Sequence, residues 1–130
     1  MGFLIHDTKD GQPGPWEYLE ASAIGACKVG MALTVTEGKL AKATATVKPT
    51  YISMYQGTVA SGDKIPVLRV LPDTRFKTQL SAAGTALKVG DKVTIDATGM
   101  LATATTTSGV LEIVQINGTG IGDDVIVRIP

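Results

Sequence analysis

From Lys28 to Pro72 the chain reads KVGMALTVTEGKLAKATATVKPTYISMYQGTVASGDKIPVLRVLP, and from Lys88 to Pro130 it reads KVGDKVTIDATGMLATATTTSGVLEIVQINGTGIGDDVIVRIP. The two stretches share anchors in the same order. Lys28-Val29-Gly30 matches Lys88-Val89-Gly90, and Gly38-Lys39-Leu40-Ala41 matches Gly99-Met100-Leu101-Ala102. Gln56-Gly57-Thr58 matches Asn117-Gly118-Thr119, Gly62-Asp63 matches Gly122-Asp123, and Arg69 matches Arg128. Even the lead-in segments correspond, LEASAIGAC before the first unit and LSAAGTAL before the second. Offsets that drift only slightly around sixty point to a duplicated unit, longer than the usual solenoid period.

Each unit reads as β-structure. Met31–Thr36 and Asp91–Asp96 alternate between side-chain classes, as half-buried strands do. Thr36–Lys39 and Ala97–Met100 carry a turn glycine that folds the chain back as a hairpin. Thr and Ala dominate Ala41–Val47 and Ala102–Thr107, small β-compatible residues. Tyr51–Tyr55 and Val110–Ile116 are the next strands, and Gly-Asp opens the last ones, Ile65–Leu71 and Val125–Ile129. Trp16–Ser22 and Thr74–Ala83 are the best helix candidates, both short. The expected fold is all-β with at most one or two short helices, a compact barrel or sandwich built from two similar units. Residues 19–130 form one β domain from repeats of about 19–72 and 80–130.

Asp63 precedes Arg69 by six positions, whereas Asp123 precedes Arg128 by five. An odd shift sends a strand residue to the other face. Pro66 lies in the longer copy, and proline within strands marks edges, starts or bulges, so a bulge is expected near Pro66. Residues 1–18 read as a flexible N-terminal arm punctuated by Gly and Pro. Its tip, Phe3-Leu4-Ile5, is either a packed N-terminal strand or a hook that orders on a partner.

Composition narrows the chemistry. The chain has 130 residues, a formal net charge of zero, one cysteine (Cys27) and one histidine (His6). One domain of this size buries enough surface for a core without disulfide or metal staples. The neutral balance argues against a phosphate-tracking surface or an anionic membrane as partner. No run approaches the length of a membrane span. His6, Asp7 and Asp10 fall on the arm and read as solvated. Asp91, Asp123 and Asp124 read as turn caps without calcium-loop spacing. The 118–122 glycines lead into a strand, not the helix that a phosphate loop needs. Asn117-Gly118-Thr119 fits a glycosylation sequon, but no export signal accompanies it. Cys27 has no second thiol or nearby base and reads as a buried, inert group. No catalytic residue, metal ligand or cofactor site is expected. Arg69 and Arg128 either project to solvent, pair with a carboxylate such as Glu112, or mark a subunit interface, where arginine is enriched. Trp16, Tyr18, Tyr51 and Tyr55 are either core residues or a stacking platform for a sugar or base.

Taken in order, Trp16 and Tyr18 ahead of Ala21, KVGMALTVTEGKLAKA, KPTYIS, GDKIPVLRV, GDKVTID and the closing GDDVIVRI resemble the small head-decoration (capsid cement) proteins of tailed bacteriophages. The similarity runs from about Trp16 to Pro130. It implies a compact β-rich domain with an N-terminal arm, without enzymatic activity, bound to the major capsid protein on the virion exterior after assembly in the host cytoplasm. It also implies a homo-oligomer, with a trimer favoured. The residues expected to contact capsid or neighbouring subunits are Phe3, Leu4, Ile5, Trp16, Arg69 and Arg128. Two other readings remain open: a small carbohydrate- or ligand-binding β module, with Trp16, Tyr51 and Tyr55 around one groove, and a tail or connector component of the same particle.

Overall fold

A computed structural model describes residues 2–7, 16–72 and 74–130. In chain order the strands are β1 (Leu4–Asp7), β2 (Trp16–Glu20), β3 (Gly25–Cys27), β4 (Ala32–Thr36), β5 (Lys39–Lys42), β6 (Tyr51–Ser53), β7 (Gly57–Val59), β8 (Lys64–Arg69), β9 (Arg75–Gln79), β10 (Lys92–Val93), β11 (Leu111–Ile116) and β12 (Asp124–Arg128). They form three antiparallel sheets with no helix among the described residues, so the fold is all-β, and the sheets do not close into a barrel. One five-stranded sheet has the order β1-β9-β12-β11-β10 and the other β2-β8-β6-β4-β5, while β3 and β7 pair by themselves.

The two units share one plan. Lead, last, middle and first strands lie side by side as β2-β8-β6-β4 in one and β9-β12-β11-β10 in the other. Parallel bridges Ala21–Leu40 and Leu80–Ala102 draw the lead strand toward the hairpin return in each. Backbone bonds repeat as well. The Ala21 N–H donates to Asp63 O and the Leu80 N–H to Asp123 O, while the Gly62 and Gly122 N–H groups return to Ala21 O and Leu80 O. The Gly-Asp turns are held alike, since Asp63 Oδ2 accepts the Ala60 N–H at 2.9 Å and Asp123 Oδ2 the Gly120 N–H at 2.8 Å. An aspartate that satisfies a turn N–H three residues upstream is the local reason for the recurring motif.

The structure corrects the alignment in two places. The matched bridges set Leu40 opposite Ala102, one position on from the sequence match, because the second hairpin loop is longer: Thr36 pairs directly with Lys39, whereas the Asp96 N–H donates to Leu101 O. The expected bulge near Pro66 is absent. Strand β8 pairs in regular register with β2 and with β6. Pro66 is tolerated because its C=O accepts the Met54 N–H beyond the end of β6. N–H and C=O of one antiparallel residue face the same neighbour, so the missing donor faces a place where the ladder has ended. The register break lies instead between Ile113 and Gln115 in β11. Counted from the matched aspartates, Arg128 corresponds to Leu68 and not to Arg69, and the two arginines project from opposite faces of equivalent sheets.

Both helix candidates are strands. Trp16–Glu20 alternates between exposed and half-buried residues, and in Arg75–Gln79 Phe76 and Thr78 are buried between more exposed neighbours. That period of two suits a lead strand packed on one face. The tip of the arm takes the packed-strand alternative, whereas residues 16–18, expected to belong to the arm, are part of a sheet. Leu4–Asp7 adds to the edge of β9, with Phe3 buried in the core, and Trp16–Glu20 is the edge strand β2. Residues 8–15 lie outside the described residues. Packing of Phe3 beneath the sheet holds the tip in place.

Two cores result. One lies under β9, β11 and β12 and includes Phe3, Phe76, Leu111 and Val127, and it also takes in Ala32, Ala43 and Ile52 of the first unit. The other, under the second sheet, includes Leu33, Leu40, Val59, Ile65 and Val67, together with Met100 of the second unit. The units meet directly through reciprocal bonds between Ala45 and Ile95 and through the Ala32 N–H on Gly99 O.

Candidate interaction surface

Register sorts the residues of the β2-β8-β6-β4 sheet onto its faces, since antiparallel partners project to the same side and successive residues alternate. Trp16, Leu68, Ile52 and Ala32 share one face; Glu17, Val67, Ser53, Tyr51 and Leu33 share the other. The second face covers the Leu33–Val67 core. The first is partly covered by the other core, and beyond that cover it carries Met54, Pro66, Trp16 and Tyr18.

Strand β1 borders this open face. Phe3, Leu4, Ile5, Val29, Gly30, Ile52, Met54 and Leu68 line a cleft of about 190 Å³ whose walls are almost wholly apolar. The Phe3 N–H donates to Gly30 O at 2.9 Å, which anchors the strand where it enters the cleft. Gly2 makes this passage possible: its φ is +98°, and a Cβ there would meet Met100 Cε at 2.8 Å and Gly30 O at 3.0 Å. Phe3 is buried, but Leu4 and Ile5 remain 43% and 41% exposed, Trp16 57% and Tyr18 70%. Asp7 closes the other end of β1 with a 2.7 Å ion pair to Arg75. The outcome is an apolar, aromatic-rimmed surface on two neighbouring sheet edges.

The sequence-selected residues divide into three places. Phe3, Leu4 and Ile5 come together on this surface with Trp16 close by, because Trp16 stands opposite Leu68 in the ladder. Arg69 lies on the opposite face and holds Glu17 by two bonds of 2.9 Å from Nε and a terminal amine. Those bonds raise its already high pKa further. It also lines a separate cleft of about 240 Å³ with Lys48, Tyr51, Pro72 and Pro130. Arg128 pairs across the ladder with Glu112 in the other sheet. Its hydrogen bond is the main reason the Glu112 carboxyl sits below its usual range, against a smaller opposing effect of burial.

Tyr51 and Tyr55 pack against the core on the face away from Trp16. The aromatic groove that a sugar-binding module would need is therefore not assembled. Val29, Met54 and Leu68 line the cleft but were not selected from sequence, and Tyr18 was singled out only as a core or stacking residue. The signal available for Tyr18 was its position two residues from Trp16 in a segment read as helix.

Asp91 caps the Lys88 N–H at 2.9 Å, as Asp123 caps its own turn. Cys27 Sγ lies 3.1 Å from Ser53 Oγ, and burial pushes its pKa up despite that contact. Among the described residues no group of three His, Cys, Asp or Glu side chains is placed to hold a metal ion, and no helix is long and apolar enough to cross a membrane. Comparison with protein-family models and with curated proteins finds no match for the chain.

Proposed function

We propose that this protein is a non-enzymatic structural component of a phage virion, one that binds the outer surface of the capsid and stabilises the shell. The observation that carries the reading is the exposure of large apolar side chains on two sheet edges, Leu4 and Ile5 on β1, where they line the cleft, and Trp16 and Tyr18 on β2. Aromatic side chains at the centre of a patch are the usual anchors of protein–protein contacts. Two short sheet edges lie beside them and offer backbone groups to a partner strand. The resemblance of the Trp16–Pro130 motifs to head-decoration proteins supplies the identity of the partner, the major capsid protein. It also supplies the homo-oligomeric state, and the virion exterior as the location.

Capsids of the phage that encodes the chain, stripped of decoration, provide the test. Wild-type protein should co-sediment with them and raise their resistance to heat. The double variant Trp16→Ala/Tyr18→Ala changes only exposed side chains, so it should stay folded and lose binding at least tenfold. Unchanged binding by that variant would remove this surface from the reading, and failure of the wild type to bind would remove the capsid.

A further inference from the structure

The turn that joins β11 to β12 carries the only asparagine of the chain, Asn117, directly before a glycine, Gly118. The sequon begins here, and neither the interaction surface nor the two cores involve this residue. An asparagine side chain can be attacked by the backbone nitrogen of the next residue, because the two groups are already tethered and the ring they form has five members. Whether a folded chain permits the attack depends on three groups. The attacking N–H must be free, the side-chain amide must be free to leave, and the carbonyl oxygen must be stabilised as it gains charge.

The turn meets all three conditions. The Asn117 N–H is held by Asp124 O at 3.1 Å and the Gly120 N–H by Asp123 Oδ2 at 2.8 Å. The Gly118 N–H between them has no acceptor among the described residues. Asn117 is exposed, and its Nδ2 also has no acceptor among the described residues. Its Oδ1 is held, since Gln115 Nε2 donates to it at 2.7 Å. Residues two apart at a strand end project to the same side, which is why Gln115 reaches it. That bond fixes the side chain and lies on the oxygen where negative charge gathers during attack. The fold itself imposes the glycine. A Cβ at Gly118 would lie 2.5 Å from Asp123 Oδ2, the oxygen that caps the turn, so no side chain shields the nitrogen.

We propose that Asn117 is a self-modification site, which the folded protein converts to aspartate and isoaspartate without an enzyme. The Gly118 nitrogen loses its proton to solvent base and bonds to Asn117 Cγ. The Cγ–Nδ2 bond breaks, and Nδ2 takes up a proton and leaves as ammonia. One water then opens the succinimide. Opening at one carbonyl gives aspartate, and opening at the other gives isoaspartate, whose backbone runs through the side-chain carbon. No oxidant or further reactant is needed. Either product adds a carboxylate to the turn that holds Asp123 and Asp124 and takes the formal net charge from zero to minus one. The reaction belongs to the chain itself and does not depend on what the protein binds, so its test is separate from the capsid experiment.

The test is peptide mapping by mass spectrometry of the full chain, incubated in native buffer and, in parallel, in urea. Isoaspartate is read by methyl transfer from a protein isoaspartyl methyltransferase. Native protein should convert at Asn117, faster at mildly alkaline than at mildly acidic pH. Gln56-Gly57, the matching dipeptide of the first unit, should stay intact in the same digests, because its ring would have six members. Asn117→Gln should abolish the reaction. Gln115→Leu, with folding checked by circular dichroism, should slow it by about threefold or more in native buffer and leave the rate in urea unchanged, since the bond is absent there in both chains. An equal native rate for Gln115→Leu would overturn the role given to Gln115. Native protein that keeps Asn117 intact while the same chain converts in urea would overturn the proposal.

Discussion

Glu112 and Arg128 face each other across β11 and β12, and the pair makes a signed prediction. The hydrogen bond from Arg128 holds the Glu112 carboxyl below its ordinary value of 4.5, with the charges of Arg128 and Lys92 acting in the same direction. A carboxyl whose pKa is lower folded than unfolded adds stability that is present above the unfolded value and disappears as pH falls through the folded one. Glu112→Gln should therefore lower the melting temperature at pH 7, and the gap to wild type should narrow steadily below about pH 4.5. A gap that stays constant down to pH 3 would show that the pair contributes nothing through its charge. Cys27 makes a simpler case. It is buried, hydrogen-bonded to Ser53, and its pKa is raised by burial, so little thiolate exists near neutral pH. Thiol reagents should label it only after unfolding, and rapid labelling of native protein would place it at the surface. At this scale the sequence was informative for the isolated thiol among Ala and Gly, whereas pairing with Glu112 was only one of three alternatives for Arg69 and Arg128 and the structure assigns it to Arg128. Arg69 was harder. Its partner Glu17 is distant in sequence and lies in a segment whose alternation was taken for helix.

Strands succeed or fail by what they pack against, and β1 shows it. Burying a Phe side chain is worth about 1.5–3 kcal/mol, offset by the cost of ordering the few residues around it. If Phe3 is what holds β1 down, then Phe3→Ala and deletion of residues 1–7 remove the same interaction. Both should cost about 1–3 kcal/mol in urea denaturation, and they should agree to within about 0.5 kcal/mol. A deletion without effect on stability would mean that the strand contributes nothing to the fold. Gly109 supplies a contrasting case at the entry to β11. Its φ is ordinary, but a Cβ there would lie 2.2 Å from the carbonyl carbon and oxygen of Lys92, which are backbone atoms and cannot swing away. Gly109→Ala should cost about 1–3 kcal/mol or more through forced backbone movement, measurable as a lowered urea midpoint. The first strand of each unit was legible from alternation and the last from the Gly-Asp turn. The two lead strands were not, because five-residue segments such as Trp16–Glu20 and Arg75–Gln79 acquire their strand character from pairing with β8 and β12. The β3–β7 ladder carries no alternation at all, and three-residue pairings of Gly, Ala and Thr leave no periodic trace.

For the whole molecule, the duplication is visible in sequence because turn residues have to recur where turns recur. How the two copies join is not, because the join is built from residues with little character. Ala43 and Ala102 are fully buried, and Ala45 pairs with Ile95; the three alanines lie in Thr/Ala runs that read only as small β-compatible residues. Small side chains allow backbones to approach closely, so the positions that look least committed are those where the units meet. This bears on cooperativity. The core under β9, β11 and β12 contains Ala32, Ala43 and Ile52 from the first unit, and the other core takes in Met100 from the second. Separating the units would expose part of each core and break the Ala45–Ile95 bonds together. Neither unit keeps its own hydrophobic interior without the other, and halves of about sixty residues are already marginal by size. The chain should therefore unfold in one transition, with calorimetric and van't Hoff enthalpies equal within error and with Trp16 fluorescence and far-ultraviolet circular dichroism changing together. The fragment 74–130, which retains β9 through β12 but loses Phe3, Ala32, Ala43 and Ile52, should be unfolded by itself. Two separable transitions, or a folded fragment with protected amides in β11 and β12, would mean that the shared core is dispensable and that each unit folds independently.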